Sequence, residues 1–307
     1  MPRTVIAGLD GSPESLAAAE WAAREARLRG LPLTLLHALE DWSPTYGLAA
    51  LSGVEFDPAS WAGSLLAEVS GQLGGEHPGL DIRTEQLEGR PVERLVAAAK
   101  EAEVLVLGSR GLGALSGFLT GSVSMSVLAR AERPVVLVRA GERAGREQEA
   151  YGRETRGEEA RDGEAYGDVV LGVDLARPCD ELFAYAFEAA AARGARLRVV
   201  HGWSLPPLFG YDPAAVDPGH IAGLATREST ALTDALRPWC GKYPGVPVDE
   251  QCVVGRPGEH LTEASATACL VVVGRRARRS VIGARLGPVT HAVLHHATAP
   301  VAVVPHN

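Results

Sequence analysis

Short apolar runs alternate along this chain with longer amphipathic segments, and the alternation predicts strands and helices in turn. Thr4–Gly8 is a short apolar run suited to a buried strand. Ser12-Pro13 marks a helix start, the segment LAAAEWAAREARLR continues it, and Gly30 ends it. Leu33–Ala38 predicts a second strand, Trp61–Leu73 a helix and Asp81–Leu87 an alternating strand. Pro91–Ala99 predicts a short helix, Glu103–Leu107 a fourth strand, Ser122–Ala131 a fourth helix and Pro134–Val138 a fifth strand. Strands alternating with helices imply an α/β fold: a parallel sheet with helices on both faces. Ligands of such sheets sit beyond the carboxyl ends of the strands, near the point where strand order reverses. The residues after strands one and four are therefore the ones to inspect.

The pattern occurs twice. Val5-Ile-Ala-Gly-Leu-Asp10 has a counterpart in Val169-Val-Leu-Gly-Val-Asp174, and the same shift of 164 takes Gly30 to Gly194 and His37 to His201. Later landmarks shift by 166: Gly89-Arg90-Pro91 to Gly255-Arg256-Pro257, Gly108 to Gly274, Gly121 to Gly287 and Pro134 to Pro300. An ordered series with one two-residue slip marks the duplication of a domain of about 140 residues. Residues 1–140 are expected to form one domain and 168–307 a second. Residues 141–167, rich in Glu, Arg and Gly with almost nothing to bury, predict a flexible charged linker.

Composition narrows the function classes. The 307 residues are 46% apolar and 22% charged, enough to bury a sizeable core. A formal net charge of -8 opposes unspecific nucleic-acid binding, and 5% aromatic residues leave few stacking platforms. No apolar run approaches the roughly 20 residues that span a bilayer. The opening MPRTVIAGLDGSPES carries no secretory core, so a cytoplasmic location and no membrane partner are expected. Cys179, Cys240, Cys252 and Cys269 form no CxxC pair and suit small core residues of a reducing compartment.

The fourth strand runs into the chemistry. Gly108-Ser109-Arg110-Gly111 is followed by nine residues and then Gly121-Ser122-Val123-Ser124 at a helix start, the pattern G-x2-G-x9-G-S. Gly108 and Gly111 let backbone approach a ligand closely, and the helix N-terminus after Gly121 favours phosphate. Ser122 and Ser124 can add hydroxyl donors. The bland alternative is a glycine-rich turn with a serine N-cap. The chain has neither a GxxxxGK[ST] P-loop nor a GxGxxG motif.

This pattern resembles the ATP-binding motif of the universal stress protein family. Gly8-Leu9-Asp10-Gly11-Ser12, His37-Ala38, Gly89-Arg90-Pro91 and Pro134-Val-Val-Leu-Val resemble that family too, and the likeness spans nearly the whole chain. The resemblance implies a tandem member with two Rossmann-like (adenine nucleotide alpha hydrolase-like) domains. Each would be a five-stranded parallel sheet of order 3-2-1-4-5. It also implies that Gly8 and Asp10 lie near the nucleotide and that backbone at Ala38 meets adenine. Gly108, Ser109, Arg110 and Gly111 would line ribose and phosphates, and Gly121, Ser122, Val123 and Ser124 would hold the phosphates. Independently, a carboxylate ending strand one can accept from hydroxyls or hold Mg2+ bridging phosphate oxygens; it can also simply close a turn.

The second repeat departs from the pattern. Its loop reads Gly274-Arg275-Arg276-Ala277, nine residues, then Gly287-Pro288-Val289-Thr290. Ala277 replaces a glycine, Pro288 a serine, and Leu175-Ala176 the Gly-Ser after the aspartate. Asp174, Gly202, Gly274, Arg275, Arg276 and Gly287 are the degenerate counterparts of the first set. Arg275, Arg276, Arg278 and Arg279 either clamp phosphate, select another anion, or form a solvated charged loop. His291 and His295 stand i, i+4 in the last helix with His296 beside them, a spacing able to bind zinc. No acidic or cysteine ligand stands in register, so they suit ordinary helix-face histidines and no metal site is expected.

These features favour an ATP-binding, nucleotide-responsive regulator of stress or dormancy physiology with at most slow ATPase activity. No P-loop lysine or kinase catalytic-loop signature suggests dedicated phosphoryl transfer. The alternatives are an ATP-pyrophosphatase-like or adenylating enzyme and a nucleotide-independent interaction module. The closing strands Pro134–Val138 and Pro300–Val304, short and apolar, invite pairing between repeats as an intramolecular pseudo-dimer, and between chains as a homodimer.

Overall fold

The computed structural model describes residues 3–39, 57–109, 122–141, 167–204, 218–276 and 286–306. Among the described residues of the first half the elements are β1 (Thr4–Gly8), α1 (Pro13–Arg29), β2 (Leu33–Leu39), α2 (Pro58–Glu76), β3 (Ile82–Glu88), α3 (Pro91–Glu101), β4 (Ala102–Gly108), α4 (Ser122–Arg130) and β5 (Val135–Val138). The second half follows the same succession: β6 (Asp168–Val173), α5 (Asp180–Arg193), β7 (Leu197–Trp203), α6 (Pro218–Lys242), β8 (Val248–Val254), α7 (Pro257–Ala264), β9 (Ala268–Arg276), α8 (Pro288–His296) and β10 (Val301–His306). The chain divides into two compact units, one built on β1–β5 and the other on β6–β10. Residues 142–166, most of the expected linker, lie outside the described residues.

Within the first unit the strands run β3-β2-β1-β4-β5, all parallel. Within the second they run β8-β7-β6-β9-β10, again parallel. Each order is 3-2-1-4-5 counted along its own half. In the first unit α1 and α2 cover one face and α3 and α4 the other. Central strands enclosed on both faces cannot alternate, which is why β1 and β4 appear as continuous apolar runs. Val5, Ala7, Val104 and Val106 are wholly excluded from water, whereas β3 at the edge is largely exposed. Both units shift register at the start of the first strand, at Thr4/Val5 and at Asp168/Val169, so the duplication extends to a backbone irregularity.

Local chemistry sets the element ends. Ser12 has extended backbone and its Oγ accepts from the Ser15 N–H, Pro13 occupies the first turn, and Gly30 closes α1 at φ +63°. That left-handed conformation is open to glycine without steric penalty. Ala18, Ala19, Ala22, Ala23 and Ala26 of α1 are fully buried, and side chains this small let the helix lie close to the sheet. Gly8 pairs in register with Leu36 on one side and Leu107 on the other, so β1 and β4 end within one residue of each other and β2 runs on to Leu39. Among the described residues no helix is long and apolar enough to cross a membrane.

Candidate functional site

At the carboxyl edge of the first sheet lies a cavity of about 260 Å³. Its walls come from the ends of β1 (Gly8–Asp10), β2 (Leu36–Ala38) and β4 (Leu107, Gly108), and from the N-terminal turns of α1 (Ser12, Glu14, Ser15), α3 (Pro91) and α4 (Val123, Ser124). This is the switch point of the sheet: the chain leaves β1 toward β2 on one side, and β4 lies on the other. Three helix N-termini therefore converge on one space, and their positive dipole ends favour a negative ligand. Two acidic residues, Asp10 and Glu14, are among its lining residues.

Close packing builds this edge. A Cβ on Gly108 would stand 2.7 Å from the Glu14 carbonyl carbon and from the Ser15 nitrogen, so only glycine lets the first turn of α1 rest on the end of β4. The Ser124 hydroxyl donates to the Gly108 carbonyl at 3.0 Å and ties α4 to the same point. That hydrogen is thus committed to the fold, a different use from the ligand donor expected of Ser124. Asp10 closes a turn, its Oδ1 accepting from the Ser12 N–H at 3.0 Å and from the Ser12 hydroxyl. His37 donates from Nδ1 to the Leu9 carbonyl at 2.7 Å, and its ring meets Trp61 of α2 edge-on at 5.6 Å.

Of the expected site residues in the first half, Gly8, Asp10, Ala38, Gly108, Val123 and Ser124 all line this cavity. Ser109 follows Gly108, buried, with its N–H donating to the Val138 carbonyl. Ser122 opens α4. Arg110, Gly111 and Gly121 lie outside the described residues. Several liners were not singled out as site residues in the sequence: Glu14 and Ser15, hidden inside a helix start, Leu95, and Pro91, the last residue of the twice-occurring Gly-Arg-Pro.

The second unit repeats the frame and alters the seat. Thr290 donates to the Gly274 carbonyl at 2.9 Å, as Ser124 does to Gly108. His201 bonds the Val173 carbonyl, as His37 does Leu9, and Asp174 closes the same turn on the Ala176 N–H at 3.1 Å. But α5 begins at Asp180, three residues later than the counterpart of Pro13, and the space against Gly274 holds the His306 ring. A Cβ on Gly274 would stand 2.8 Å from His306 Nε2. Gly202, counterpart of Ala38, is pressed against Pro257, where a Cβ would stand 2.7 Å from Cγ. Arg275 is buried, and that burial lowers its pKa, whereas Arg276 is exposed and Gly287 caps α8. Ala277, Arg278 and Arg279 lie outside the described residues. None of the four cysteines is in a disulfide. Burial and a hydrogen bond to Glu181 push the Cys179 thiol up to about 11, so it stays protonated at neutral pH.

The universal stress protein family model matches residues 1–139 and again 165–305. The chain belongs to the universal stress protein family. Two matches in one chain make it a tandem member. A universal stress protein of Mycobacterium tuberculosis is 34% identical over 306 residues, 97% of this chain and 96% of that protein. One from Mycolicibacterium smegmatis is 31% identical over 311 residues, 98% of this chain and 96% of that protein. In fold, the chain is similar to the crystal structure of a universal stress protein from Archaeoglobus fulgidus. The TM-score is 0.65 at 19% identity, covering 99% of this chain and 98% of that one.

Proposed function

We propose that the first repeat of this universal stress protein binds ATP with Mg2+ and that the protein acts as a nucleotide-responsive regulator of stress or dormancy physiology. The observation that carries this reading is the cavity at the switch point, where a glycine-ended strand and three helix N-termini meet. Ala38 and its neighbours on β2 take the adenine end, and Gly108, Ser109, Arg110 and Gly111 take ribose and phosphate. Gly121, Ser122, Val123 and Ser124 take the phosphate tail with their main-chain N–H groups. Asp10 and Glu14 would repel bare phosphate, which favours a divalent cation bridging carboxylate and phosphate oxygens.

Binding biases a conformation only through different affinities for two states, and that is the regulatory role assigned here. Hydrolysis is at most slow in this reading, because positioning and charge neutralisation around phosphate give only part of what phosphoryl transfer needs. A homodimer, suggested by the apolar strands β5 and β10, belongs to the same proposal and is read by light scattering of the full chain.

The test is ATP titration of the wild type beside Gly111→Ala and Ser122→Ala, with and without Mg2+. Both variants are expected to bind ATP roughly ten-fold more weakly, at about 1.4 kcal/mol per decade, with unchanged circular dichroism. Removing Mg2+ is expected to weaken the wild type as well. Unchanged affinity in both variants would place the ligand elsewhere. Turnover with a second substrate would favour the adenylating alternative.

A further inference from the structure

Helix α8 carries His291 and His295 one turn apart, and their rings meet, with Nε2 3.2 Å from Nε2 and centroids 4.3 Å apart. We propose that this pair is a chelating site for one divalent first-row transition cation, held by Nε2 of both imidazoles. A zinc–imidazole bond is about 2.0–2.1 Å, so nitrogens 3.2 Å apart subtend roughly 100° at the cation. That lies between the ~90° of octahedral or square-planar coordination and the ~109° of a tetrahedron. The rings therefore suit such a cation with little more than a turn of each side chain, and the helix need not move.

Ligand chemistry selects the class of metal. Imidazole nitrogen suits zinc, copper and nickel, whereas Mg2+ and Ca2+ take oxygen. With both rings neutral, one Nε2–H now donates to the other Nε2. On binding, the donor ring carries its proton on Nδ1 instead, both Nε2 lone pairs face the cation, and no proton is lost. His295 lies in the last turn of α8, where the negative end of the helix dipole adds negative potential. His296 stands apart, its centroid 6.4 Å from that of His295. Among the described residues no group of three or more His, Cys, Asp or Glu is placed to hold a metal. The pair is thus a two-nitrogen clip. By spanning one helical turn, the bound cation stabilises α8.

The test is calorimetric titration of the nucleotide-free full chain with zinc chloride, beside His291→Ala, His295→Ala, the double variant and His296→Gln. Alanine is a strong helix former, so α8 is expected to persist, and circular dichroism checks it. One Zn2+ per chain is expected in the wild type and in His296→Gln. Either alanine variant is expected to lose roughly ten-fold or more in affinity, and magnesium chloride to give no binding. Bound zinc at about ten times its dissociation constant is expected to raise the melting temperature by on the order of 2 °C. Equal zinc uptake by the double variant would locate the metal elsewhere and overturn the proposal. So would an absence of uptake by the wild type.

Discussion

Gly108 shows how one missing side chain positions a site. Its backbone lies where the first turn of α1, the end of β4 and the Ser124 hydroxyl meet. A methyl there would face main-chain atoms of Glu14 and Ser15 at 2.7 Å, and main chain cannot swing aside as a long side chain can. Gly108→Ala is expected to cost about 1–3 kcal/mol of stability, as overpacking does. It should also displace the α1 N-terminus from the cavity and weaken ATP binding. Urea unfolding and nucleotide titration on one preparation measure both effects. A variant as stable as the wild type would mean that α1 can retreat at no cost. Gly8 makes a useful contrast, because its nearest neighbours are the ends of the flexible Leu107 and Leu95 side chains.

At the scale of elements, α2 carries the clearest pH dependence. Its C-cap His77 donates its N–H to the Leu73 carbonyl at 2.8 Å and buries its ring. Burial lowers the His77 pKa first, and the Arg27 charge lowers it further. The unfolded chain then takes up this proton more readily than the folded one. The associated stability is therefore present above the ordinary histidine value near 6.5 and is lost as pH falls through the depressed folded value. Melting temperature is expected to drop between pH 7.5 and 5.5 by roughly the amount one histidine proton supplies, and His77→Gln is expected to flatten the slope. An equally steep slope in the variant would assign the effect to other groups. Elements like α2 were readable because local chemistry ends them: the Ser12 cap and Gly30 bound α1, and proline opens α3. What the sequence left unread was partner choice. It showed a hydroxyl at Ser124 but not the Gly108 carbonyl that takes it, and a histidine at 37 but not its Leu9 and Trp61 contacts. Those depend on packing between segments far apart in sequence.

Across the whole molecule, duplication gave two frames, and among the described residues the second has an altered seat. Gly108/Gly274, Ser124/Thr290, His37/His201 and Asp10/Asp174 keep the same bonds or contact positions, so the frame was legible as a repeat. The altered seat was only half legible. Pro288 and Ala277 stood in the sequence, but the late start of α5 and the His306 ring over Gly274 needed the third dimension. In the second unit the place of a helix N-terminus is taken by an imidazole, and Gly202 lies hard against Pro257. Fewer main-chain donors and less room leave a triphosphate a poor fit there. Saturating ATP is therefore expected to slow amide exchange around residues 8–15, 36–39 and 122–126, while residues 172–180, 274–276 and 287–292 exchange at their ligand-free rate. Local opening that must first release ligand is suppressed by one plus the ratio of ligand concentration to dissociation constant. At a hundred times that constant, the first set slows on the order of 100-fold. Equal protection in both halves would mean that His306 swings out and that the second seat accepts nucleotide after all; His306→Ala would then leave the pattern unchanged, whereas on the present account it opens room for protection to appear in the second half.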